Sequence, residues 1–461
     1  MASRACKHAA LVTLGLILAV FALSAVITQG GKCGFAGRGV DWAHHLSLIE
    51  TLAREGSREN ASMTGSLGEM AVYPPFAHWL AAIVSTLCKL PPPQVIQILS
   101  AFFAGSGALL LGLRYVRLLE KQGFSANAWR RTAFLLLSVL FGAGLSGFGV
   151  FGHVAFNFFY PQLVATVMAL GSIELVKRCA LRPFWLTLAL SQLLGSLLLC
   201  THLLAGLWFY LTAFIIIASN PDQKTRRGRM GGFAAISVIA IGVNPYTAAM
   251  VKIAANDGVL GSAFGALAFS RGLVLVYLLA AALSIFLVSA YYQRWIVTTP
   301  AFFHDHAGFF SIVALASGNT LAFLAFRVSS WYSLKKYVLI FSCELPLALI
   351  TLGSLWVKSR QPQRTPSISF AAQIFLLLAC TLAQIPWGRW SCREAGVLFY
   401  RTELLGRPVQ GKGGRSYPQF EQLRCEENYY LAISILAIPR DQRTMQWLLR
   451  GCKGERAIEL K

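Results

Sequence analysis

Asp41 is followed at helical spacing by His44 and His45, and further on the chain places Tyr73-Pro74-Pro75 and His78 in "MAVYPPFAHWLAA". Acidic residues number only 19, so an aspartate in an apolar setting stands out. A carboxylate there can act as a base toward a sugar hydroxyl, with burial raising its pKa into a useful range. The same residue also suits a helix N-cap, accepting backbone N–H bonds ahead of "WAHHLSLIETLA"; the two roles are compatible. His44 and His45 fall one helical turn later, where i, i+3 or i+4 spacing puts one of them on the Asp41 face. Substrate hydrogen bonding competes there with two interfacial histidines facing water. Tyr73 and the prolines most simply start a helix, and His78 stands one turn into it as a further substrate contact.

Other groups carry weaker signals. His153, Asn157 and Tyr160 crowd with Phe156, Phe158 and Phe159, a rim that suits a sugar ring and equally an interface belt. Arg327, Lys335 and Lys336 in "RVSSWYSLKKY" offer a fork and point charges for a lipid phosphate, or simply mark a cytoplasmic loop. The ten cysteines show no CxxC pair and no zinc spacing, so no metal centre and no cofactor is expected, a divalent cation staying open as an alternative. Two of Cys392, Cys425 and Cys452 could pair if the tail meets an oxidising compartment.

The elements that must position these residues follow from composition. Of 461 residues 56% are hydrophobic and 13% charged, about half the charged fraction of a soluble domain. Long apolar runs recur throughout, and the net charge of +22 collects in short stretches between them, as cytoplasmic loops of membrane proteins do. That distribution argues against a nucleic-acid partner. The expected fold is all-α and polytopic, with about eleven transmembrane helices.

"AALVTLGLILAVFALSAVITQ" (Ala9 to Gln29) reads as the first span, or as a signal peptide; both readings put Gly30 to about Pro93 outside the cytoplasm. Within that first outer loop two membrane-parallel helices are expected. The second, Pro75 to Leu90, is short for a span, and laying it flat puts Arg114, Arg117, Lys121, Arg130 and Arg131 inside. Pro183 to Ser219 reads as a hairpin of two spans with His202 at its tip, and Asn220 to Met230 as a basic inner loop. Further spans are expected to about residue 387, with Arg327 to Tyr337 facing outward against the charge rule. Residues 388–461 lose the long apolar runs and read as a small water-facing tail.

The opening motif resembles the first outer loop of the C-type (GT-C) membrane glycosyltransferases: an acid soon after the first span, then "HHLSLIETLAREG", then "YPPFAHWLAA". The likeness covers about the first ninety residues well, and the rest in architecture only. It implies transfer of a sugar from a polyprenyl-phosphate-linked donor to a glycan, lipid or protein acceptor. It further implies Asp41 as catalytic base, Tyr73 and Pro74 as the second-helix start, and Arg327 or Lys335 on the carrier phosphate. The setting implied is a bacterial inner membrane, with the active face outward and the bilayer itself as a partner. Many members carry a second outer acid, for which this chain offers only Asp257. The alternatives are a transporter or flippase of lipid-linked glycans, with Glu174, Glu344 and Asn244-Pro245 as its ionisable or broken-helix sites, and a non-catalytic scaffold of the same fold.

Overall fold

Prolines stand at the starts of five of the eight described helices. The computed structural model describes residues 72–90, 92–121, 160–179, 183–219, 223–249, 300–326, 409–410 and 416–417, together with scattered positions between 45 and 70 and between 281 and 348. The helices are α1 (Phe76–Cys88), α2 (Pro92–Lys121), α3 (Tyr160–Cys179), α4 (Phe184–Leu199), α5 (Leu203–Ala218), α6 (Gln223–Val243), α7 (Pro300–Asp305) and α8 (Ala307–Phe326). Pro75 and Pro183 are the N-caps of α1 and α4, and Pro92, Pro161 and Pro300 lie in the first turns of α2, α3 and α7. A proline's fixed φ suits that turn, and its missing N–H would have had no helical partner there. Two short antiparallel strands, β1 (Val409–Gln410) and β2 (Ser416–Tyr417), pair Val409 with Tyr417.

The chain divides into two compact units, Met1–Ser106 with Ala143–Pro161 and Pro386–Lys461, and Gly107–Gly142 with Gln162–Ile385. In the first, α1 turns small and polar residues inward (Ala77, His78, Ala81, Ala82, Ser85) and leaves Ile83 and Leu87 exposed. It ends at Lys89, which adopts the left-handed conformation (φ 54°), while the Ser85 hydroxyl donates to the Leu90 carbonyl at 2.6 Å. A helical stretch before it buries His45, Leu48, Ile49 and Leu52, the spacing of one helix face.

In the second unit α5 is the axis. It carries no charge, leaves no residue exposed, and packs against α4, α6, α7 and α8. A helix apolar all round is one enclosed on every side. Its Trp208 indole donates to the Gly308 carbonyl at 2.9 Å, tying α5 to the start of α8. The α4–α5 pair forms the expected hairpin, with His202 as the N-cap of α5 rather than a free tip. Three contacts join α4 to α6: Arg229 lies over the Phe184 ring at 5.8 Å, Gln192 Nε2 donates to Ser237 Oγ at 3.1 Å, and Asn244 Nδ2 approaches Cys200 Sγ at 3.6 Å. These climb both helices in the same direction, so α4 and α6 run parallel.

The expectation of about eleven transmembrane helices, two membrane-parallel helices and a water-facing tail is corrected. What is described is mainly helical, and among the described residues no helix is long and apolar enough to cross a membrane. Several expected spans, among them Ala9 to Gln29, lie outside the described residues; within the described ones two misreadings stand out. The apolar run Pro183 to Ser219 is cut by the turn at Cys200–His202 into helices of 16 residues each, about 24 Å long at 1.5 Å per residue against roughly 30 Å of hydrocarbon. Basic residues taken for loop markers are also helical: Arg114, Arg117 and Lys121 end the 30-residue α2, Lys177 and Arg178 end α3, and the basic stretch Lys224–Arg229 lies within α6.

Candidate functional site

Within the first unit, three of the residues singled out by spacing converge. His45 Nδ1 lies 2.7 Å from His78 Nε2, the two rings stacked with centroids 5.0 Å apart. Tyr73 stands edge-on to both, 5.1 Å from His45 and 5.6 Å from His78. Both histidines are buried, so His45 does not face water. A nitrogen–nitrogen hydrogen bond needs one N–H and one lone pair. The facing nitrogens therefore share one proton between them. Pro74 and Pro75 are buried beside it and fix where α1 begins, and with it the position of His78 in the first turn. Tyr160, expected on an aromatic outer rim, is instead a buried strut: its hydroxyl donates to the Ala77 carbonyl at 3.1 Å. Burial pushes that phenol far above its usual range, so it stays a donor. Together these groups make a small buried cluster in which two imidazoles hold one proton between them.

A second cluster lies within the other unit. Arg114 Nη1 donates to Glu344 Oε1 at 2.5 Å, with both side chains buried (4% and 0% exposed). Arg114 Nε sits 3.6 Å from Glu174 Oε1, and its Nη2 donates to the Asp305 carbonyl at 3.0 Å. Lys177 Nζ donates to that same carbonyl at 2.9 Å and pairs with Glu174 at 3.4 Å, while Arg117 pairs with Glu174 at 3.1 Å. Asp305 ends α7 just before the break at His306, and its carbonyl accepts from both cations. Glycine at 308 makes room for the acid: a Cβ there would lie 2.5 Å from Glu344 Oε1 and 2.7 Å from its carboxyl carbon.

Burial pushes the Lys177 ammonium down to about 8, helped by the Arg114 charge and only partly offset by Glu174, Glu344 and Asp305. Burial would raise the Glu174 carboxyl, but Lys177, Arg114 and Arg117 outweigh it and hold that carboxyl below its usual range. Burial likewise pushes the neighbouring Cys343 thiol up to about 12. Each cation here already has a protein acceptor, so the cluster's chemistry is that of a clamp.

Asp41, His44, His153, Arg327, Lys335 and Lys336 lie outside the described residues, as do Asp257, Cys392, Cys425 and Cys452. Among the described residues no group of three or more His, Cys, Asp or Glu is placed to hold a metal. The Arg114–Glu344–Glu174–Lys177 cluster escaped a reading by charge parity, which treats basic residues as loop markers. Its signal was nevertheless present: Arg114/Arg117 and Glu174/Lys177 both stand at i, i+3 in a chain with only 19 acids, and charges repeated on one helix face inside apolar sequence ask for partners. No family model matches the chain, and neither a curated protein nor a solved structure matches it.

Proposed function

We propose that this chain is a glycosyltransferase that takes a sugar from a polyprenyl-phosphate-linked donor and passes it to a hydroxyl of a glycan, lipid or protein acceptor. The observation that carries the reading is the convergence of His45, four residues after Asp41 in sequence, with His78 and Tyr73. In the proposed reaction the Asp41 carboxylate takes the acceptor proton, and the acceptor oxygen bonds to the anomeric carbon. The bond from that carbon to the phosphate oxygen breaks, and the carrier phosphate leaves with the electron pair. The histidine pair and Tyr73 hold sugar hydroxyls beside the base, with His44 and His153 as further contacts. Arg327, Lys335 and Lys336 balance the charge on the leaving phosphate. The donor is presented at a lipid surface, which we place at the outer face of a bacterial inner membrane.

The test is transfer from a radiolabelled polyprenyl-phosphate sugar by full-length protein in native vesicles. Asp41→Asn, His45→Ala and His78→Ala should each lower turnover by roughly 10²–10⁴-fold, the range for lost acid–base or positioning groups. Undiminished turnover in a folded Asp41→Asn protein would sink the assignment of the base. No sugar transfer from any such donor by the wild-type protein would sink the function.

A further inference from the structure

The carboxylate of Glu174 sits where three cations meet. Arg114 and Arg117 stand one turn apart on α2, and Glu174 and Lys177 one turn apart on α3, so two helix faces bring their charges to one point. Arg117 Nη1 takes Glu174 Oε2 at 3.1 Å. Lys177 Nζ and Arg114 Nε both turn to Oε1, at 3.4 and 3.6 Å. The longer distance is not a hydrogen bond, and Arg114 Nε is buried with no acceptor. Nη1 of the same guanidinium shows what a fitted pair looks like, meeting Glu344 at 2.5 Å.

Three donors thus share two oxygens. A carboxylate has no third oxygen to give, and a buried N–H without an acceptor costs free energy. A phosphomonoester presents three strong acceptor oxygens and up to two negative charges, one oxygen for each cation. Charge points the same way. Among the groups in direct contact, Arg114, Arg117 and Lys177 face the carboxylates of Glu174 and Glu344, while Asp305 gives them its backbone carbonyl. The seat also has a way in: exposure falls from 42% at Arg117 through 20% at Glu174 to 10% at Lys177 and 4% at Arg114. It opens to solvent beside Arg117 and closes on Arg114, and Glu174 stands on the open side, where side-chain rotation can carry its carboxylate outward.

We propose that Arg114, Arg117 and Lys177 form a binding site for a phosphomonoester group, and that Glu174 is the internal anion this ligand displaces. Occupancy ends the sharing at Oε1 and gives Arg114 Nε an acceptor. It also relieves Lys177, whose ammonium is disfavoured by burial and by the Arg114 charge. The site does not depend on sugar transfer. A carrier-linked sugar phosphate is a diester with two free oxygens, one too few for three donors.

The test is isothermal titration calorimetry on the full-length protein, at constant ionic strength, with inorganic phosphate, glycerol 3-phosphate and dimethyl phosphate. The first two should bind the wild type. Glu174→Gln should tighten both by about 10–100-fold, the worth of a charge-assisted hydrogen bond that no longer has to be given up. Arg117→Gln, a change at the exposed edge, should weaken both by a similar factor, and dimethyl phosphate should bind about tenfold or more weakly than the monoester. A folded Glu174→Gln protein that binds no tighter than wild type would overturn the displacement. Unchanged affinity in Arg117→Gln, or no binding by either protein, would overturn the site. Exclusion of glycerol 3-phosphate, or equal affinity for dimethyl phosphate, would overturn the monoester. Should Glu174→Gln fail to fold, thermal unfolding of the wild type and Arg117→Gln decides: phosphate should raise the midpoint of the first more than that of the second, and equal shifts would overturn the site.

Discussion

Replacing Glu344 by methionine should cost more than replacing Glu344 and Arg114 together. The guanidinium and the carboxylate meet at 2.5 Å with both side chains out of water. Breaking a buried ion pair by removing one partner costs about 3–5 kcal/mol, chiefly because the other charge is left without compensation. In Glu344→Met the stranded Arg114 keeps Glu174 at 3.6 Å and the Asp305 carbonyl at 3.0 Å, so the low end applies, about 3 kcal/mol. At roughly 2–4 °C per kcal/mol for a body of this size, the unfolding midpoint should fall by about 6–12 °C. Arg114→Met should cost at least as much, since Glu344 is wholly buried and loses the one cation that donates to it among the described residues. The double substitution removes both charges in favour of apolar side chains of similar volume, and should return to within about 1 kcal/mol of the parent. Thermal unfolding followed by circular dichroism would measure all four proteins, with hydrogen exchange over residues 302–313 as the local readout. Single substitutions costing under about 1 kcal/mol, or a double equal to the sum of the singles, would refute the account of a coupled buried pair.

Gly308→Ala should strike the same pair from the other side, because the new methyl would displace the Glu344 carboxylate; overpacking of this kind costs about 1–3 kcal/mol, and a neutral result in thermal unfolding would count against the placement of Glu344. Lys177 has a folded pKa lowered from 10.5 to about 8, so between those values the unfolded chain binds the extra proton. Stability should therefore be lowest and level below about pH 8 and rise with pH above it, by at most about 1.4 kcal/mol per pH unit. Lys177→Met should flatten that rise, and equal slopes in the two proteins between pH 7.5 and 9.5 would contradict the shift, all three pH values being approximate window limits. Cys343, with its thiol pushed up to about 12 by burial, should resist maleimide in the folded protein and react on unfolding; prompt labelling detected by peptide mass spectrometry would show that it is not enclosed.

What the sequence disclosed and what it concealed follow from one difference, between local pattern and long-range pairing. Helix starts were readable because proline acts on its own turn, as at Pro75 and Pro183. The break near His202 was likewise legible, as the point where a run too long for one helix had to fold back. The His45–His78 contact spans 33 residues; spacing could nominate each residue but not the meeting of their rings, which depends on how α1 packs. Arg114 and Glu344 stand 230 residues apart, and no periodicity connects them. The same blindness misjudged charge: a basic residue reads identically in sequence whether water or a distant carboxylate receives it. Helix length was overread for a related reason, since hydropathy sees an apolar run and not the turn within it.

The Asp305 carbonyl has one further consequence. A single peptide oxygen receives Arg114 from α2 and Lys177 from α3, at the one point where the chain from Pro300 to Phe326 leaves the helical path. A change that carried this oxygen away would strip two cations of an acceptor at once. The interruption at His306 is therefore braced from outside the segment that contains it, by side chains of two other helices.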